Sequence, residues 1–283
     1  MNKLSKFLLS FCFLTFTFFA WNSYEAQGKL LGVSTENKRA ANVVLPEHAA
    51  DQAVIALGKS YDQDSQGMVE GYAIIRRNEN YAKGGNKGGG KPGGVTSSCY
   101  GFLSSGMKWK TQEPWFVNTT NSDGLSELFV RNTMIDSVQK WEAAAGVEIL
   151  GPGQETTNLL SADLVHTDGV NEVYFAPIDE PGVIGVTIVW GYFSGPPKTR
   201  EIVEWDQVYD DVDFDWTSDA TIETNKMDFE AIATHELGHT MGLGDLYTQD
   251  CGEETMYGYG SEGQIHQRSL NTGDITGVRK LYQ

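Results

Sequence analysis

The sequence predicts an α+β fold. A helical stretch precedes a series of strand-like segments, two further helical stretches close the chain, and no segment repeats. The first element past residue 100 is PWFVN, Pro114–Asn118, whose aromatic and β-branched residues enter a turn at TNSDG. From Leu125 to Ala145, apolar residues recur at Leu125, Leu128, Phe129, Ile135, Val138 and Trp141, which is helical spacing. Gly146 ends that helix as a left-handed cap. VEIL, EVYFAP and VIGVTIVWGYF follow as strands rich in β-branched and aromatic residues. REIVEWDQVY, with apolar and polar residues alternating, is a further strand. A helix over THELGH and a glycine-rich loop come next, and TGDITGVRKLY closes the chain as a short helix with Thr272 as N-cap.

The chain has 283 residues, enough for one to two domains with a sizeable core. A formal net charge of −17 excludes nucleic acid and anionic membrane surfaces as partners, because both would repel it. At the N-terminus Lys3 and Lys6 precede a run without charge from Phe7 to Trp21. A basic region followed by an apolar stretch too short for a membrane span reads as a signal peptide, residues 1–26, and so as a secreted, extracellular protein. No small residue stands two positions before Ala20 or Ala26, so the cleavage point is not fixed. Export leaves Cys99 and Cys251, and two thiols in an oxidising compartment are expected to pair.

Lys83–Gly94 holds seven glycines in twelve residues and reads as a flexible linker. It separates residues 27–82, small for a core of their own, from residues 95–283. The first segment carries the amphipathic stretches AADQAVIALGKS and GMVEGYAIIRR and is expected to be a pro-segment or an N-terminal extension.

The chemistry concentrates in THELGHTMGLGD, Thr234–Asp245. His235 and His239 are four residues apart, so a helix projects both imidazoles from one face. Phe229, Ala233, Leu237 and Met241 form a stripe on roughly the opposite side. Glu236 sits beside the first histidine, where a carboxylate can take a proton from a zinc-activated water. Two ligands do not hold a catalytic zinc. Gly242 can turn the chain through a left-handed conformation, and Asp245 follows where the chain can return a carboxylate to the metal. The plain alternative for Asp245 is a turn residue bonded to local backbone.

These residues resemble the extended zinc motif of the metzincin metalloproteases, nearest the matrixins, with the pattern His-Glu-x-x-His-x-x-Gly-x-x-His. His235, Glu236, His239 and Gly242 match; Asp245 stands in place of the last histidine, as in snapalysin-type members. ETMYGYG resembles the Met-turn, which implies Met256 as the floor beneath the metal, and Tyr257 and Tyr259 as candidate oxyanion stabilisers. The likeness runs from about Lys108 to the C-terminus, where SLNTGDITGVRKLYQ resembles the closing helix. It implies a metzincin-like zinc protease domain, a twisted mixed β-sheet with an active-site helix, a Met-turn and a C-terminal helix. It also implies one catalytic Zn2+, protein or peptide substrates, and VIGVTIVWGY as the edge strand against which an extended substrate lies. Nothing here resembles a matrixin cysteine switch; Cys99 as a zinc-blocking thiolate would leave Cys251 unpaired.

Asp206, Asp210, Asp211, Asp213, Asp215 and Asp219 offer oxygens for Ca2+ but lack the spacing of a ligand loop, so a solvated acidic loop is expected. His166 and Asp168 are expected on a surface turn rather than in a second zinc site. Two rival readings stand beside the secreted zinc metalloendopeptidase. A gluzincin-type zinc protease would take Glu253, Glu254 or Glu262 as third ligand, and a non-catalytic, zinc-stabilised binding protein would have no use for Glu236.

Overall fold

The computed structural model describes residues 41–46, 52–81 and 99–283; the expected signal peptide and the glycine-rich linker lie outside the described residues. In chain order the elements are β1 Val54–Asp62, β2 Gly67–Asn78, β3 Trp115–Val117, α1 Glu127–Ala145, β4 Gly153–Glu155, β5 Asn171–Ala176, β6 Val183–Tyr192 and β7 Glu201–Asp210. There follow β8 Trp216–Thr217, β9 Met227–Asp228, α2 Phe229–Thr240, β10 Tyr259–Gly260 and α3 Thr272–Tyr282. One mixed sheet runs β1-β2-β6-β7-β5-β3-β4, with β10 added beside β2. The expected α+β architecture is therefore present.

The strand residues explain the layering. β5 is buried along its whole length and β6 at every residue but Tyr192, as central strands covered on both faces must be. On β7, Trp205 and Tyr209 join the core beneath the three helices, while Val208 joins a second core on the opposite face. α1 begins where the Ser126 side chain accepts from the Phe129 amide, and it ends at Gly146 in the left-handed conformation (φ 77°). Its Trp141 indole donates to the Thr234 carbonyl at 2.8 Å, and Ser137 meets the Thr234 hydroxyl at 2.9 Å, which pins α2 against α1. α2 starts with Asp228 accepting from the Ala231 amide.

The N-terminal stretches form the β1–β2 hairpin. Too small to enclose a core, the hairpin borrows one: Ile74 enters the helix-side core, and Ala73 and Ile75 enter the opposite core. β2 pairs antiparallel with β6 from Glu70 opposite Gly191 to Arg77 opposite Val183. It pairs in parallel with β10 through Arg77 and Asn78.

Four expectations are corrected. VIGVTIVWGY, β6, is not an edge strand: β2 pairs along one side of it and β7 along the other. VEIL is not a strand: Glu142 Oε1 accepts the amides of Ile149 and Leu150 at 2.8 and 3.0 Å, and the short strand forms at Gly153–Glu155 instead. Asn271, not Thr272, caps α3, in a capping box with Asp274. Asp206 and Asp210 are buried residues of β7, not members of a solvated loop; of that acidic run, Asp213 and Asp215 are the exposed ones.

Candidate metal centre

α2 carries His235, Glu236 and His239, and the stripe Phe229, Ala233, Leu237 and Met241 is 0% exposed beneath them. The histidine face is closed as well, with His235 at 0% and Glu236 and His239 at 1%. The chain leaves the helix at Gly242 with φ +98°, where an added Cβ would also lie 2.5 Å from the Met107 carbonyl oxygen. Only glycine serves that turn. Three residues on, Asp245 Oδ1 lies 3.2 Å from His235 Nε2 and 3.4 Å from His239 Nε2.

Each partner is oriented from behind. His235 Nδ1 lies 2.6 Å from the Thr255 carbonyl and His239 Nδ1 lies 3.0 Å from the Leu243 carbonyl, so both Nδ1–H groups donate to backbone and both Nε2 lone pairs face Asp245. The Tyr247 hydroxyl donates to Asp245 Oδ2 at 2.8 Å. Burial and the neighbouring Asp245 charge raise the Tyr247 phenol, which keeps it a donor. Against its own burial, Asp245 is held well below the usual carboxylate range by His239 foremost and by His235, when a proton rather than a metal stands on the facing nitrogen.

The set fits a zinc ion. Ligand atoms about 2.0–2.1 Å from zinc in a tetrahedral site lie roughly 3.3 Å from one another, close to the two separations seen here. One ligand atom from each of His235, His239 and Asp245 can be enclosed within 4.8 Å. Asp245 Oδ1 and Glu236 Oε1 are buried without a hydrogen-bond partner, and a buried oxygen of that kind calls for a cation or a water. Glu236 Oε2 accepts from the Thr187 hydroxyl of β6 at 2.6 Å, leaving Oε1 buried and free of any hydrogen bond. Burial raises the Glu236 carboxyl, as suits a group that must hold a proton in passing.

Met256 lies under α2. A Cβ on Gly238 would stand 2.1 Å from its sulfur, so glycine at that helix position is what lets the floor approach. Asp274 of α3 accepts from the Thr255 amide at 2.7 Å and the Met256 amide at 3.1 Å, tying the turn to the C-terminal helix. Tyr257 and Tyr259 meet the centre through main-chain carbonyls: both accept from Arg76, Tyr259 at 2.9 Å. The three glutamates of the rival reading are not brought to the cluster. Glu254 accepts the amides of Gly273 and Asp274, and Glu262 accepts from Asn78. Cys99 and Cys251 are joined in a disulfide.

Sequence reasoning missed several residues. Arg76 of β2, 1% exposed, sets Nη1 2.9 and 3.0 Å from the two ring nitrogens of His235. In GMVEGYAIIRRN the alternation puts Ile74, Arg76 and Asn78 on one face, but it does not say which strand that segment meets. Tyr247, Thr187 and Gln267 carried no motif. Asp163, Glu204 and Asp206 form a second group of carboxylates, each with one buried oxygen lacking a partner. Their other oxygens, or their amides, tie the loop near residues 163–169 to β7: Glu204 Oε2 accepts from Gly169 at 2.5 Å and Asp206 Oδ2 from the Asp163 amide at 2.8 Å. Such an oxygen set suits a hard cation such as Ca2+, though its members come from a loop and a strand rather than from one regularly spaced ligand loop. His166 is exposed and outside this group.

A family model described as matrixin matches residues 108–283. Stromelysin-1 of Mus musculus is 34% identical over 176 residues, 62% of this chain and 33% of that relative, so the chain spans about a third of its length. With the match covering more than half of the chain and the helix, turn and closing helix arranged as described, this protein belongs to the matrixin family.

Proposed function

We propose that this protein is a zinc-dependent endopeptidase, secreted, with His235, His239 and Asp245 as the metal ligands in the snapalysin-type pattern and Glu236 as the general base. The carrying observation is the convergence of His235 Nε2, His239 Nε2 and the partnerless Asp245 Oδ1, with the buried Glu236 next to His235 on the same helix. Zinc at such a site lowers the pKa of its water and polarises a carbonyl oxygen. Glu236 takes the water's proton on Oε1, and Thr187 holds Oε2 so that the carboxylate stays aimed. The same carboxyl then delivers the proton to the leaving amine. Met256 and Asp274 keep the histidines' helix at a fixed height above the turn. Glu236 argues against a zinc-stabilised binding protein, since a structural metal needs no base.

Secretion rests on the charged-then-apolar N-terminus together with the Cys99–Cys251 disulfide, which suits an oxidising compartment. Among the described residues no helix is long and apolar enough to cross a membrane. Residues 27–82 act as the pro-segment: β2 occupies the outer edge of β6, the edge an extended peptide substrate would need. The test is metal content by mass spectrometry together with chelator-sensitive cleavage of casein. A chain that binds no zinc, or cleaves nothing after metal loading and loss of residues 27–82, sinks the reading.

A further inference from the structure

Arg76 is held by a pocket shaped for a guanidinium. Nη1 donates to the Tyr257 carbonyl; Nη2 donates to the Tyr259 carbonyl at 2.9 Å and to Gln267 Oε1 at 2.6 Å. Gln267 is 1% exposed, and its own Nε2 donates to the Tyr257 carbonyl at 3.0 Å. That second bond fixes which end of the amide faces Arg76: the oxygen. Gly260 leaves the room, since a Cβ there would stand 3.3 Å from Arg76 Nη2. Burial pushes the Arg76 guanidinium pKa down, and the Glu236 and Asp245 carboxylates offset part of that cost.

The strand that carries Arg76 is bound as an extended peptide. One edge pairs antiparallel with β6; the other pairs antiparallel with β1 as far as Ile74 and then, through Arg77 and Asn78, in parallel with Tyr259–Gly260. Arg76 enters between those two edges and reaches His235, the first candidate metal ligand.

We propose that this pocket is the specificity pocket of the cleft and selects peptide substrates with arginine at the position Arg76 now fills; the inference rests on the endopeptidase reading above. With a metal on His235 Nε2, a guanidinium gives up that nitrogen, and the Tyr257 and Tyr259 carbonyls and Gln267 Oε1 remain as its acceptors. An apolar side chain in the same place leaves the Tyr259 carbonyl and Gln267 Oε1 without the donor Arg76 supplies, and a buried group left unpaired is penalised more than a pair is rewarded. Lysine brings charge but not the planar fork that reaches acceptors on both sides. β2 is thus a tethered occupant of the site whose own arginine reports what the site accepts.

The test uses the metal-loaded full chain and its Arg76→Ala variant on a library of denatured proteins, with the cuts mapped by mass spectrometry. We expect arginine at one fixed position next to the cut, enriched at least tenfold over leucine and over lysine. Gln267→Leu should lower the arginine-to-leucine ratio at least tenfold while zinc content stays unchanged. Efficient cleavage with no arginine preference, or with an apolar one, overturns the pocket and leaves the endopeptidase reading intact. If neither chain cleaves anything, β2 still covers the edge of β6, the endopeptidase reading stands on its own test, and the pocket is judged by hydrogen exchange of residues 70–77. Faster exchange in both Arg76→Lys and Arg76→Leu supports a guanidinium pocket; wild-type protection in Arg76→Leu overturns it.

Discussion

Arg76 and His235 lie 159 residues apart in sequence, and their side chains meet at 2.9 Å inside the candidate metal centre. Nη1 is also 3.0 Å from His235 Nε2, the nitrogen whose lone pair faces Asp245. A guanidinium is a donor only and cannot share that lone pair with a cation. On the proposed reading, the N-terminal hairpin blocks the site in two ways, by covering the edge of β6 and by placing a guanidinium where a metal ion would bind.

From this it follows that Arg76→Ala should take up zinc faster than the wild-type full chain. A chromogenic zinc competition assay reads the rate directly, and we expect a gain of at least threefold. Equal rates would show that the guanidinium leaves metal access untouched.

Glu236→Gln should abolish casein cleavage, by several orders of magnitude, while zinc remains at one per chain. The amide keeps the oxygen that accepts from Thr187 but cannot take a proton from water. Activity within tenfold of wild type would remove Glu236 from the reaction.

Asp245→Ala should lose zinc under mild chelation and lose activity with it, because two imidazoles alone do not hold a catalytic zinc. Glu262→Ala and His266→Ala should keep both, since neither residue joins the ligand cluster. Tyr247→Phe removes one hydrogen bond to Asp245 Oδ2 and should weaken zinc binding in the range of about 10–100-fold typical of outer partners. Stoichiometric, tightly held zinc in Asp245→Ala would return the third ligand to a downstream glutamate.

The Cys99–Cys251 bridge closes a loop with a sequence separation of 152 residues. In the chain-entropy account such a closure stabilises by about 5 kcal/mol, less any strain. The paired Cys99→Ser, Cys251→Ser variant should melt well below wild type without reductant, and the difference should vanish when both are fully reduced. Two titratable thiols in the denatured, unreduced wild type would refute the bridge.

Much of this was legible because it rests on local spacing. The four-residue step from His235 to His239, the turn at Gly242 and the helical period before Gly146 each declare themselves within a few residues. VEIL failed for a reason local propensity cannot carry: Glu142, seven residues earlier, claims the amides a strand would have used. Asp206 read as loop because its neighbours are acidic, yet its place on β7 is set by pairing with β5 and β6. Arg76 was hidden most completely. Its role depends on which strand β2 pairs with, a contact across more than a hundred residues that no stretch of the sequence announces.

The carboxylates around Asp206 give a prediction about pH. Burial, foremost, raises Asp163 to about 6, Glu172 to about 7 and Glu204 to about 9. Neighbouring carboxylates push the same way, and no lysine or arginine pairs with Asp163, Glu204 or Asp206 among the described residues. A folded-state pKa above the unfolded value means stability that is complete near pH 4 and is lost as pH rises through 6 to 9. In a zinc-loaded protein without calcium, the melting temperature should therefore fall by several degrees between pH 5 and 8. Added Ca2+ should restore it, and more at pH 8 than at pH 5, because a cation replaces the protons the cluster gives up. Glu204→Gln keeps an oxygen for the Gly169 amide but loses the titration, so it should flatten the pH slope and weaken the calcium effect. A wild-type melting temperature that climbs steadily from pH 5 to 8 in chelator, with no response to calcium, would show that these carboxylates ionise freely and hold no cation.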